Sequence, residues 1–239
     1  MKLTVASMGA INDPLAWTSG SLGCTPGSVE VKLVDVPDLN YLTSNTPPQG
    51  EVWIRGNAVI EGYLDNPEEN AKAFYDGWFK TGDIGLFDEM GQLKIIDRKK
   101  NLVKTLNGEY IALEKLESLY RTAAVVNNIC VYASPDHAKP IAIVEPVAAA
   151  LSKIAADVGE KGASHDEICA SAKVRAAVRT EMQKIGSQNG LQSIEMIQDV
   201  VLTSDEWTPQ SGLLTSAQKL NRKAVVDKFK KEIDAVYAA

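Results

Sequence analysis

The sequence predicts an α+β fold, and three observations carry that prediction. Residues 28–36 and 50–56 alternate apolar and polar side chains at the period of a half-buried strand. Residues 84–87 and 92–97 flank the turn Asp88-Glu89-Met90-Gly91, the pattern of a hairpin. From residue 152 to 190, and again from 217 to 237, the apolar spacing turns helical. The composition shifts near Asp97, which divides the chain into a β- and loop-rich part, 1–97, and a mixed α and β part, 98–239.

The elements follow in order. Residues 1–50 are rich in Gly, Pro, Ser and Thr, so loops surround few elements there. The strands at 28–36 and 50–56 lie close enough for a small antiparallel sheet or barrel. Asn66-Pro67-Glu68-Glu69 opens a short helix, with Asn66 as N-cap, Pro67 at the first helical position and acids in the first turn. After the hairpin and a basic cluster, residues 102–106 read as a strand closed by an Asn107-Gly108 turn. Leu113, Leu116 and Tyr120 then repeat at helical spacing. The apolar runs 129–133 and 140–146 read as buried strands. A helical stretch over 152–190 is interrupted at Gly159 and Gly162, a strand covers 194–202, and a final helix covers 217–237.

Composition excludes several function classes. The formal net charge of -6 over 239 residues argues against a phosphate-backbone binder, and only residues 219–231 are locally basic. The three cysteines, Cys24, Cys130 and Cys169, are far apart and form no CxxC pair, so neither a zinc site nor a disulfide framework is expected. His137 and His165 stand without a metal-ligand partner at useful spacing, and Trp53 and Trp78 read as core or interface aromatics. No run reaches the roughly 18 apolar residues of a spanning helix, and no leader or anchor is visible in the sequence.

The chemistry concentrates in Trp78-Phe79-Lys80-Thr81-Gly82-Asp83-Ile84-Gly85 and, one hairpin later, Ile96-Asp97-Arg98-Lys99-Lys100-Asn101. Asp83, between two glycines in a turn that lets a ligand approach closely, can accept hydrogen bonds from a sugar diol. Arg98 can donate to the same nucleotide. Alone, Thr-Gly-Asp equally describes a turn that caps a strand, and Arg98-Lys99-Lys100 a solvated basic corner. Asn107-Gly108 is by itself a tight turn, and Lys219 by itself a solvated lysine opening a basic helix.

Taken together, these motifs resemble acyl-adenylate-forming enzymes, and in particular eukaryotic long-chain fatty acyl-CoA synthetases, over most of residues 20–239. The resemblance implies the C-terminal, β-rich part of an adenylating domain followed by a small mobile α+β lid. It implies a ligase that joins a long-chain fatty acid to CoA with ATP, releasing AMP and diphosphate. Asp83 and Arg98 would contact the ribose and phosphate of ATP or AMP, and Lys100 would be the hinge between domain and lid. Asn107, Gly108 and Glu109 would form the CoA-side loop, with the glycine leaving room for the pantetheine arm. Lys219, matching the lysine of a Gly-Lys-x-x-Arg pattern, would be catalytic in adenylation, although Gln218 stands where that pattern has Gly. The partners implied are small molecules, with no nucleic acid. The compartment implied is intracellular, cytoplasmic or peripheral at the endoplasmic reticulum or another lipid-handling membrane.

The same resemblance marks what is not seen. The Ser/Thr/Gly-rich loop for the β- and γ-phosphates and the acyl tunnel have no counterpart. Where a Thr-Glu pair is expected to help place phosphate and Mg2+, the chain reads Thr4-Val5, and valine has no oxygen ligand for the metal. The expectation is therefore a chain carrying the ribose-contact, hinge and lid parts, inactive or weakly active alone. The competing readings are a non-catalytic nucleotide- or CoA-binding lid, and a partner module with no ligand.

Overall fold

The computed structural model describes residues 10–12, 15 and 18–238; Thr4 and Val5 lie outside the described residues. The chain divides into two compact units, the first ending at Asn101 and the second starting at Leu102. That division falls after Asp97, where the composition shifts, because a strand continues to Arg98 and a 3-10 turn, Lys99–Asn101, follows it.

The first unit runs β1 (Val29–Val34), β2 (Gln49–Gly56), α1 (Pro67–Ala73), β3 (Phe74–Tyr75), β4 (Trp78–Phe87) and β5 (Leu93–Arg98). The strands make one antiparallel sheet in the order β1-β2-β4-β3, with β5 also pairing with β4. Helix α1 starts as its sequence dictates: the Asn66 side chain accepts from the Glu69 N–H at 3.2 Å, and Pro67 leads the first turn. The β4–β5 turn is closed by Asp88, whose Oδ1 accepts the N–H groups of Met90 at 3.0 Å and Gln92 at 2.9 Å. One face of the sheet buries Val29, Val52, Ile54, Phe79 and Leu93. The other interleaves cations with rings: the Lys32 ammonium lies 4.1 Å from the Trp78 ring centroid and the Arg55 guanidinium 4.5 Å from the same centroid.

The second unit opens with the pair β6 (Leu102–Lys104) and β7 (Tyr110–Ala112), antiparallel, and continues into α2 (Leu113–Tyr120). Then come β8 (Val126–Tyr132), β9 (Ile141–Pro146), α3 (Ala148–Asp157), α4 (His165–Ala170), α5 (Ala172–Gln188) and β10 (Val200–Leu202). The order in the sheet is β10-β9-β8, with β9 antiparallel to β8 and parallel to β10. Every residue of β9 is buried, because the sheet is covered on both faces. Ala142 and Val144 pack with α2, α3 and α5, while Ile141 and Ile143 pack with Trp207 and the C-terminal helices.

Two sequence expectations are corrected here. The strand expected over 194–202 shortens to β10, since Glu195 turns back to donate to the Gln192 carbonyl at 3.0 Å. The final helix does not start at residue 217. Residues 215–219 form a hairpin turn between Leu214 and Leu220, and the helix is two pieces, α6 (Arg222–Lys228) and α7 (Lys230–Ala238), broken at the buried Phe229. No helix of the described residues is long and apolar enough to cross a membrane.

Candidate functional site

In the first unit Asp83 lies inside β4 rather than in a turn, directly opposite Arg98 of β5. The Arg98 Nε donates to Asp83 Oδ1 at 3.0 Å, so the two residues singled out on either side of the hairpin are brought into contact. Gly82, at φ +73°, holds the left-handed conformation that a side chain would strain, and the register slips between Ile84 and Gly85. Gly85 serves packing rather than ligand approach: a Cβ there would stand 2.6 Å from a methyl group of Val52 and 3.0 Å from the Lys94 carbonyl. Thr81 ties the segment down, its hydroxyl donating to the Val52 carbonyl at 2.7 Å and accepting from the Asp83 N–H at 3.1 Å.

The surroundings add two residues that sequence reasoning missed. The Tyr41 hydroxyl donates to Asp97 Oδ2 at 3.4 Å, and burial, with the Asp97 charge beside it, pushes the Tyr41 pKa up to about 12. Tyr41 is therefore a fixed donor across the ordinary pH range. Lys99 reaches back to the buried Glu51 of β2 at 3.2 Å. An acid among the apolar positions of β2 was the signal for Glu51; nothing in the sequence marks Tyr41. Lys100 is exposed in the 3-10 turn, between Lys99 and the buried Asn101.

In the second unit the β6–β7 turn carries Asn107, Gly108 and Glu109. Gly108 sits at φ +81° and donates to the Thr105 carbonyl at 2.9 Å, and the Leu106 N–H donates to the His137 carbonyl at 3.1 Å. Asn107 and Glu109 line a cleft of about 360 Å3 together with Lys139, Gln192 and Ser193.

Lys219 is exposed at the end of its hairpin and is not among the residues lining that cleft. Its carbonyl accepts from the Thr215 N–H at 2.7 Å, and its N–H donates to the Thr215 hydroxyl at 3.2 Å. Gln218, standing where the resembled pattern has glycine, adopts φ +59°. The backbone thus has the glycine-favouring geometry although the side chain is not glycine. Three residues on, Arg222 forks onto the buried Glu117 of α2, at 2.7 Å to Oε1 and 2.9 Å to Oε2. It also donates to the Val131 carbonyl at 2.7 Å, while the Val131 N–H donates to Glu117 Oε1 at 2.8 Å. Burial works against the Arg222 charge, but the Glu117 carboxylate outweighs it and holds the pKa above the ordinary value. Glu117 was legible only as an acid on the apolar face that Leu113, Leu116 and Tyr120 define.

No protein-family model matches the chain. It is 50% identical over 225 residues to long-chain-fatty-acid–CoA ligase 1 of Schizosaccharomyces pombe, an alignment covering 92% of this chain and 33% of the relative. It is 48% identical over 235 residues to long-chain-fatty-acid–CoA ligase 1 of Saccharomyces cerevisiae, covering 96% of this chain and 33% of the relative. Among solved structures, the adenylation domain of a carboxylic acid reductase from Segniliparus rugosus, in complex with AMP and a co-purified carboxylic acid, superposes with a TM-score of 0.78. That match is 32% identical and covers 93% of this chain and 33% of the other. Over nearly its whole length the chain is similar to these long-chain-fatty-acid–CoA ligases, of whose length it spans about one third.

Proposed function

We propose that this chain supplies the ribose-contacting edge, the hinge and the lid of an AMP-forming long-chain fatty acid–CoA ligase. The observation that carries the reading is the Asp83–Arg98 pair across β4 and β5, in a chain similar to such ligases almost throughout. In the reaction a fatty carboxylate oxygen attacks the α-phosphorus of ATP, diphosphate leaves, and acyl-AMP forms. The CoA thiol then displaces AMP and the thioester results.

Each residue has a part that its chemistry suits. A carboxylate accepts from several donors at once, so Asp83 takes the ribose hydroxyls while Arg98 holds its orientation and donates toward the same nucleotide. Lys219, on an exposed hairpin, brings an ammonium to the substrate carboxylate and α-phosphate, where charge builds up as the bond forms. Lys100, exposed between two anchored residues, is the hinge, since a hinge needs few residues that absorb a backbone change beside fixed neighbours. The turn Asn107-Gly108-Glu109 lies on the CoA side, and Gly108 keeps the backbone open for a narrow arm. Among the described residues no group of three or more His, Cys, Asp or Glu side chains could hold a metal ion. No residue is therefore assigned to Mg2+, and the roles above use only the chain's own donors, acceptors and charges.

The test is AMP titrated into the chain and followed by amide resonances of Thr81, Asp83 and Arg98. Saturable shifts that vanish in Asp83→Ala are expected, and a wild-type chain with no response would overturn the ribose assignment. Pyrophosphate exchange with palmitate separates the two levels of the reading. Binding with exchange near background describes a module that contacts the nucleotide without completing the chemistry alone.

A further inference from the structure

We infer that Arg222 is a positioning residue for Lys219, acting through its fork onto Glu117. The inference rests on the proposed adenylating role of Lys219. The Lys219 hairpin has little of its own to hold it. Residues 215–219 are all exposed, Gln218 is held at a strained φ of +59°, and the turn's cross-links run only to Thr215. Its base is a different matter. Leu213 and Leu214 are buried, the Asn221 N–H donates to the Leu213 carbonyl at 2.9 Å, and the Asn221 side-chain amide donates to the Gly212 carbonyl at 3.0 Å.

The next residue, Arg222, opens α6 and drives its guanidinium inward. There it meets both oxygens of Glu117, whose side chain is 7% exposed, and the Val131 carbonyl. Both strands of the hairpin are thus referred, through Asn221 and Arg222, to α2 and β8 in the core of the unit. A bidentate arginine–carboxylate fork fixes direction as well as distance, which a lysine at the same place would not do. Glu117 in turn is aimed by the Val131 N–H, so the arginine has one place to go. The fork therefore sets where the Lys219 ammonium starts from, three residues away, without touching substrate itself.

Amide exchange in the full chain decides this. In the double variant Arg222→Met with Glu117→Met, apolar groups of similar size keep the packing filled. The Gln218 and Lys219 amides should then exchange about tenfold faster, with those of β8 and β9 unchanged within about twofold. Arg222→Lys, keeping charge but losing the fork, should fall between. Unchanged hairpin exchange in both variants overturns the inference. A uniform acceleration across the second unit does so too, because the pair would then be a prop for the whole fold. The reading of Lys219 is judged separately: ATP added to the wild-type chain should shift the Lys219 resonances. No shift would remove Lys219 from the site while leaving the exchange comparison intact.

Discussion

The Arg98–Asp83 pair of the first unit and the Arg222–Glu117 pair of the second are built differently. Arg98 and Asp83 are 49% and 31% exposed, in neighbouring strands, and the Nε–Oδ1 contact is at 3.0 Å. Arg222 and Glu117 are 29% and 7% exposed, linked by a fork and tied to the β8 backbone through both charges. A half-exposed pair adds little to stability and can exchange its partner for a ligand. A carboxylate as buried as Glu117 is costly to leave unpaired. The comparison separates recognition, which needs a carboxylate that water and substrate can reach, from placement, which needs one held inside by several donors.

The largest effect that would break this contrast is on stability. Glu117→Ala strands the Arg222 charge and should cost about 3–5 kcal/mol in urea unfolding; a loss under about 1 kcal/mol would put both pairs in one class. Relief of the Gln218 backbone comes next. Gln218→Gly should stabilise by about 1 kcal/mol, the left-handed strain being partly offset by the freedom glycine gains when unfolded. Thermal unfolding with a lowered midpoint would mean that the side chain contributes more than the strain costs.

Asp83→Asn should change stability by less than about 1 kcal/mol while removing the AMP response, the sharpest form of the contrast. A large loss in both would make Asp83 a structural residue. The last effect is absent at neutral pH and confined to the alkaline side. Burial pushes the Cys130 thiol up to about 12 from an ordinary 9.0, so its neutral form is favoured when folded. That contribution is intact below the ordinary value and is lost as pH rises toward about 12. It should cost only a few tenths of a kcal/mol at pH 9. Cys130→Ala should flatten the fall in stability between pH 9 and pH 11, each number read by urea melts.

Local elements were legible because their causes are local. Asn66-Pro67-Glu68-Glu69 starts a helix through its own cap, and Asp88 closes its own turn. The continuous apolar run at β9 announces a strand covered on both faces. Elements that depend on distant partners were misjudged. The segment before Arg222 carries helix-forming residues, yet the pairing of Leu214 with Leu220 turns it into a hairpin. Gly85 invites a ligand-facing reading, yet it is small because Val52 and the Lys94 carbonyl press on it.

The sequence by itself determined the α+β class, the order of most elements and the residues worth watching, since periodicity, caps and motifs are short-range information. Only the tertiary structure decided that Asp83 sits within a strand opposite Arg98, and that Lys219 rides on a hairpin. It alone linked Glu117 to Arg222, which lie 105 positions apart. Register and burial come from packing between distant segments, and packing decides whether a charge is left open to a ligand or locked in place.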